Sequence, residues 1–241
     1  LGISAPVVWA DEVELEEAEF NIEFNSTDND LGVRAFADGD PYHMLKIIDA
    51  NGKMIAKFQG KKGMKLQGFA ELFYESGEPE LEEVSVPEFL ARFPEGTYEF
   101  TGKTIEGDKI VGDTEFTHVI PCGPDPDLDA EVDETEETVT ISWTDPTTIV
   151  DPEYDGAGPV ECITPVDPLV IVAYEVILEN EESESELIFK FESGGPTELV
   201  IPLSLLEEDA EYEYEVIVIE DSGNQTITED DFCNGECDEE D

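Results

Sequence analysis

A single basic residue, Lys190, stands against 38 acidic ones between positions 121 and 241, and this imbalance limits the possible folds more than any motif. Residues 1–120 hold 25 acids and 10 bases, so the chain of 241 residues carries a net charge of −52. Self-repulsion at that density works against any compact state. Divalent cations, concentrated salt or a basic partner must offset it. The same repulsion excludes nucleic acid as a partner of the second half. An apolar share of 39% still supplies two modest cores, too much for wholesale disorder. Glutamate dominates the acid, with 41 Glu to 22 Asp.

Four cysteines, Cys122, Cys162, Cys233 and Cys237, form an even set, which points to two disulfides and an oxidising compartment. Zinc is the rival reading. Only Cys233 and Cys237 have ligand-like spacing, however, and His43 and His118 stand far off in sequence. The stretch Leu1–Ala10 is apolar and gives way abruptly to Asp11 and Glu12. It reads as the end of a secretory leader, with Val8-Trp9-Ala10 before the cut, or as an extended arm of the mature chain. Both predict a secreted, extracellular or cell-surface protein. No apolar run reaches membrane-spanning length.

Helical periodicity is nearly absent. Short alternating runs between Gly, Pro, Asn and Asp clusters predict an all-β chain of antiparallel sandwiches. In the first half, strands are expected near 13–24, 32–38, 43–49, 53–59, 64–75, 97–105 and 109–119. Asp49-Ala-Asn51-Gly52 predicts a hairpin turn and Pro87–Phe93 one helical turn. Cys122-Gly-Pro-Asp-Pro-Asp marks the expected domain boundary.

Trp143 falls on the second expected strand of the second half and Tyr174-x-Val176 on the third. Leu206 precedes Tyr212-x-Tyr214-x-Val216 by six residues. On these residues the region 125–232 resembles a fibronectin type III domain, and Tyr212 looks like that family's tyrosine corner. The long acidic loop 145–168 departs from the pattern. Phe93-Pro-Glu-Gly-Thr-Tyr98-Glu-Phe100 is similar to the same corner, although a plain hairpin tyrosine is the simpler reading. The resemblance implies tandem immunoglobulin-like sandwiches: an arm at 1–12, domains at 13–121 and 122–232, and an acidic tail at 233–241. It implies a scaffold and carries little about activity.

Asp125, Asp127, Asp129, Asp133 and Glu136 take positions 1, 3, 5, 9 and 12 of an EF-hand-like spacing, and calcium binds such oxygen sets. Ala130 stands where the turn wants Gly, and Pro126 intrudes. The competing reading is a strand with Leu128, Ala130 and Val132 inward and the acids outward. Asp151-Pro-Glu153-Tyr-Asp155-Gly156 repeats the pattern and does carry the Gly. In the sandwich implied by the resemblance, both clusters lie at the pole where the chain enters the domain. That placement implies a Cys122–Cys162 disulfide, leaves Cys233 for Cys237, and lets calcium set an inter-domain angle. Asp28 and Asp30, and Asp38 and Asp40, are loop acids at ligand-like intervals, a pattern that chance also produces among 63 acids. Asn25-Ser-Thr27 and Asn224-Gln-Thr226 fit the glycan acceptor pattern.

No nucleophile accompanies His43 or His118, and paired carboxylates have no diagnostic value in so acidic a chain, so no enzyme is expected. Assembly has better support. Lys61, Lys62 and Lys65 share one short stretch with Lys46, Lys53 and Lys57. It reads as a solvated hairpin that lowers local repulsion, or as a basic face docking on the acidic half of the next subunit. Such a contact runs head to tail and, left unclosed, makes a filament. Ile3, Val7 and Trp9, stiffened by Pro6, read as a strand that adds to a neighbour's sheet edge or pairs within its own domain. The expectation is a secreted subunit of a calcium-stabilised filament of identical copies. A monomeric adhesion or carbohydrate-binding module and an exported domain adapted to brine are the other readings.

Overall fold

Strands of alternating buried and exposed residues supply nearly all the regular structure of the computed structural model, which describes residues 12–124, 129–192, 195–235 and 237. Two compact units result. The first takes the described residues through Asn21, then Val33–Ser76 and Ala91–Thr117; the second takes Ile22–Gly32, Gly77–Leu90 and the residues from His118 onward. Segments 22–32 and 77–90 thus group with the second unit, whereas a linear division at 121/122 keeps them in the first.

The first unit is built from β1 (Glu12–Glu14), the start of β2 (Glu17–Asn25), β3 (Asp30–Ile48), β4 (Met54–Gln59), the short helix α1 (Gly63–Gln67), β5 (Phe69–Glu75), β6 (Gly96–Thr104) and β7 (Lys109–Phe116). β3 is one 19-residue strand where the sequence predicts two. Its Arg34–Asp38 part pairs with β5, and its Met44–Ile48 part pairs with β4 and β6, with register shifts around Pro41. A strand that bends this way passes from one sheet of a sandwich to the other. The layers are therefore β2-β3-β5 and β4-β3-β6-β7-β1. That is the strand order of an immunoglobulin or fibronectin type III sandwich, with the usual second and third strands fused into β3.

Phe20 of β2 ties the layers together, stacking on Tyr98 of β6 at 4.8 Å and meeting Phe116 of β7 at 5.3 Å between ring centroids. The expected turn is present: Asp49 Oδ1 accepts the Asn51 and Lys53 amides at 3.0 and 2.8 Å, and Gly52 adopts φ 74°. The strand expected over 64–75 starts only at Phe69, because α1 occupies 63–67 and Gly68, at φ 79°, reverses the chain. Tyr98 does not make a corner. Its hydroxyl is buried without a hydrogen-bond partner, and burial, followed by the charge of Asp49, pushes the phenol up.

The second unit adds α2 (Val86–Leu90), β8 (Asp129–Asp133), β9 (Thr138–Ser142), β10 (Ile149–Val150), β11 (Cys162–Ile163), β12 (Ile171–Asn180), β13 (Ser185–Glu192), β14 (Glu198–Pro202), a 3₁₀ turn (Leu203–Leu205), β15 (Ala210–Glu220) and β16 (Gln225–Asn234). One layer runs β14-β9-β8 and the other β16-β15-β12-β13. This is the fibronectin type III order. Trp143 is 3% exposed between the layers, its ring 5.4 Å from Tyr174 and 6.2 Å from Phe191. The tyrosine corner is made as expected: the Glu207 amide donates to the Tyr212 hydroxyl at 2.8 Å.

The β2–β3 hairpin extends the second layer by pairing parallel to β16 at Gln225–Ile227. Loop 145–168 is anchored rather than loose. Tyr154 is buried, the Val86 amide donates to its carbonyl at 3.2 Å, and a Cβ on Gly156 would sit 1.9 Å from the Leu81 carbonyl oxygen. Cys122 is bonded to Cys162 and Cys233 to Cys237, with Cα separations of 6.4 and 6.0 Å.

Cross-links stabilise according to the loop they close. Replacing Cys122 and Cys162 by serine opens a separation of 40 residues and is expected to cost about 4 kcal/mol, against about 2 for Cys233 and Cys237, four apart. Guanidinium unfolding of the two double variants measures the difference. Equal losses would contradict the anchoring role given to loop 145–168.

Candidate cation and assembly surfaces

An anionic turn joins β2 to β3 in the second unit. Asn25 Oδ1 accepts the Thr27 and Asp28 amides at 2.9 and 3.0 Å, and its Nδ2 donates to Glu229 Oε1 at 2.7 Å and Asp28 Oδ2 at 3.3 Å. Asn29, at φ 59°, turns the chain into Asp30, which bridges to Glu80. Asn29 Oδ1 and Asp30 Oδ1 are both buried without a hydrogen-bond partner. Burial, then the charges of Asp28 and Glu80, push the Asp30 carboxyl up to about 6. Burial also raises Glu229, whose neighbours include Asp28 and Asp30. The donors around this turn are oxygens, the type a hard cation such as calcium takes, and among the described residues no three of these carboxylates bring their oxygens within 4.8 Å of one another. Asp28, Asn29 and Asp30 are neighbours in sequence, whereas Glu80 and Glu229 come near them only through tertiary pairing.

The other predicted ligands have structural duties. Asp151 Oδ1 accepts the Glu153 amide at 2.9 Å, and Asp155 Oδ1 accepts the Ala157 amide at 3.1 Å. The Asp-Pro-Glu-Tyr-Asp-Gly motif is thus a turn that seats Tyr154, whose hydroxyl donates to the Gly158 carbonyl at 2.5 Å. Asp129 lies in β8, and Asp133 closes the following turn by accepting the Thr135 and Glu136 amides, which lowers its pKa. Residues 129–133 form the strand of the second reading; Asp125 and Asp127 lie outside the described residues. Asp38 stands opposite Glu71 across β3 and β5; burial, then these two carboxylates, push Tyr42 up to about 12. Asp40 is exposed on β3. Among the described residues, no three of the predicted carboxylates bring their oxygens within 4.8 Å of one another.

Asn224 is 1% exposed; its Oδ1 accepts the Ile22 amide at 2.7 Å and its Nδ2 donates to the Val119 carbonyl at 2.9 Å. The second glycan pattern therefore belongs to the core. Lys61, Lys62 and Lys65 are exposed around α1. Ile3, Val7 and Trp9 lie outside the described residues.

A feature absent from the sequence reading appears on the outward face of β13-β12-β15-β16. Glu186, Glu179, Glu213 and Asp231 stand directly opposite one another in register across the four strands. Directly opposed residues lie about 5 Å apart, and like charges there repel. One step along, Glu215 faces Glu229. Burial, then the charges of Glu229, Glu213, Glu179 and Glu186, push Glu215 up to about 7. Glu220 is raised as well, chiefly by burial. Lys190, the only base beyond residue 120, pairs with Glu175 at 2.8 Å, outside this row.

No protein-family model matches the chain, and no curated protein is similar to it. Solved structures similar to it include a two-domain fibronectin type III segment of chicken tenascin, at 12% identity and TM-score 0.31, covering 91% of this chain and 98% of that one. The FN1–FN3 domains of chicken CNTN1 are similar at 8% identity and TM-score 0.37, over 94% of this chain and 66% of that one. A 1.5-MDa bacterial ice-binding adhesin, solved for its host cell surface retention, is similar at 12% identity and TM-score 0.29, over 96% and 66%. The fibronectin type III-like fold itself rests on strand order, Trp143 and the Tyr212 corner. No helix among the described residues is long and apolar enough to cross a membrane.

The raised carboxyls set the pH dependence. Asp30 and Glu215 hold protons more tightly folded than unfolded, so their contribution to stability is fully present below about pH 4 and is lost as pH rises through about 6 and 7. In chelator, the Tm of the chain is expected to fall between pH 5 and pH 8. Asp30→Asn with Glu215→Gln should flatten that slope, as followed by circular dichroism. A Tm that climbs with pH over this window would contradict the assignment.

Proposed function

We propose that this chain is a secreted structural subunit of a calcium-stabilised extracellular or surface filament, built head to tail from identical copies. The observation that carries the reading is uncompensated charge. The outward face of the second sandwich sets carboxylates side by side, while Lys190, the one base of residues 121–241, is already paired with Glu175. Counter-charge must then come from outside the chain. Calcium at Asp28, Asn29, Asp30, Glu80 and Glu229 meets part of that need, and the basic stretch of a neighbour meets another part.

The two disulfides suit an oxidising, extracellular setting. Strand addition supplies the longitudinal joint: Ile3, Val7 and Trp9 form the donor, and the layers of the second unit end on β13, β8 and β14, edges that can accept a strand. An extracellular sandwich of fibronectin type III type is a scaffold for such assembly.

Electron microscopy of the chain in calcium and in chelator tests the proposal. Fibres are expected in millimolar calcium and their dispersal in chelator, and deletion of residues 1–10 is expected to leave folded, soluble monomers. Discrete monomers under both conditions would overturn the filament. Fibres that persist in chelator would remove calcium from its mechanism.

A further inference from the structure

Residues 50–70 hold five lysines and no acid, in a chain with 63 acidic residues. The first unit displays this stretch outward. Lys53, Lys57, Lys61, Lys62 and Lys65 are all exposed, and among the described residues none is in an ion pair. Large apolar side chains lie among them: Met54 is 52% exposed, Met64 44% and Leu66 80%. α1 buries no residue at all. Among the described residues, the strands on either side, β4 and β5, each pair only with β3 and leave an outer edge unpaired. Tyr74 and Phe58 close the gap between them, ring centroids 5.5 Å apart. Packing does not require exposed Met64 and Leu66 beside three lysines. A surface built to be covered by an acidic partner does.

The complementary surface is the carboxylate row of the second unit. Beside the row, Ile188 stands opposite Ile177, and Ile188 is 50% exposed. A line of charges flanked by apolar side chains thus occurs on both surfaces, with opposite sign. Within one row, repulsion disfavours the folded state; a line of ammonium groups laid against it relieves that repulsion and also steers encounter.

We propose that the 50–70 face of one copy docks on the Glu186–Glu179–Glu213–Asp231 row of a second copy. The contact specifies the charged part of the head-to-tail joint of the homopolymer described above and rests on that reading for its biological setting. It is heterologous, because the two surfaces differ, so each copy offers one of each.

Zero-length carbodiimide cross-linking of equal parts isotopically light and heavy full-length chain tests it. Light–heavy peptide pairs joining Lys57, Lys61, Lys62 or Lys65 to Glu179, Glu186, Glu213 or Asp231 are expected, with yield falling as salt rises. A variant with Lys57→Glu, Lys61→Glu, Lys62→Glu and Lys65→Glu, folded by circular dichroism, should associate at least about tenfold more weakly. A variant with Glu179→Lys, Glu186→Lys and Glu213→Lys should lose association likewise, and mixing the two variants should restore it. Cross-links confined to other residues, or full association by the lysine variant, would overturn the docking. Fibres formed by the lysine variant would do so while leaving the filament intact. Cross-linked pairs that never extend into fibres would keep the docking and remove the filament.

Discussion

Repulsion between carboxylates fixed side by side on β-sheet faces is the constraint to which the rest of this structure responds. A strand places every second residue on one face, so Glu211-Tyr-Glu213-Tyr-Glu215 buries its tyrosines and lines up its glutamates. Neighbouring strands then bring the glutamates of β12, β13 and β16 into the same rows. The protein gains a tyrosine-rich core by a pattern that crowds its outer charges. Glu215, raised first by burial and then by Glu229, Glu213, Glu179 and Glu186, carries the local mark of that crowding.

Cohesion comes from inside each sandwich. In the first unit, Phe20, Tyr98 and Phe116 pack as one aromatic group between the layers. In the second, Trp143, Tyr174 and Tyr214 fill the centre, and Tyr212 fixes the crossing into β15 through the Glu207 amide. The Cys122–Cys162 bond and Tyr154 hold down an acidic loop that would otherwise drift from its own charges. None of these contacts neutralises a carboxylate. Core and cross-links hold the chain together against the surface, and the surface still needs counter-charge.

Strand type, the Tyr212 corner and the turn at Asp49 were legible because each depends on neighbours within a few residues. Fusion of two expected strands into β3 was not, since the bend at Pro41 looks like a break until β4, β5 and β6 pair on either side of it. Tyr98 shared the corner's local pattern, yet its hydroxyl has no partner. Asp151 and Asp155 cap turns by accepting the Glu153 and Ala157 amides, and turn caps and calcium loops use the same residue types at the same spacing, so local pattern alone does not separate the two roles. The approach of Glu80 and Glu229 to Asp30 and the row through Glu179 and Glu213 depend on register between distant strands, which local pattern does not contain.

Dependence on multivalent cations is the claim beneath all of this, and thermal melting in dilute buffer tests it most directly. Starting from metal-free chain in chelator, saturating calcium is expected to raise Tm by about 5–10 °C, taking a site filled to about a hundredfold its Kd. Sodium chloride of equal ionic strength should fall well short of that. A Tm indifferent to calcium and chelator, or one restored only by molar sodium chloride, would contradict the account and leave brine as the solvent this acidity serves.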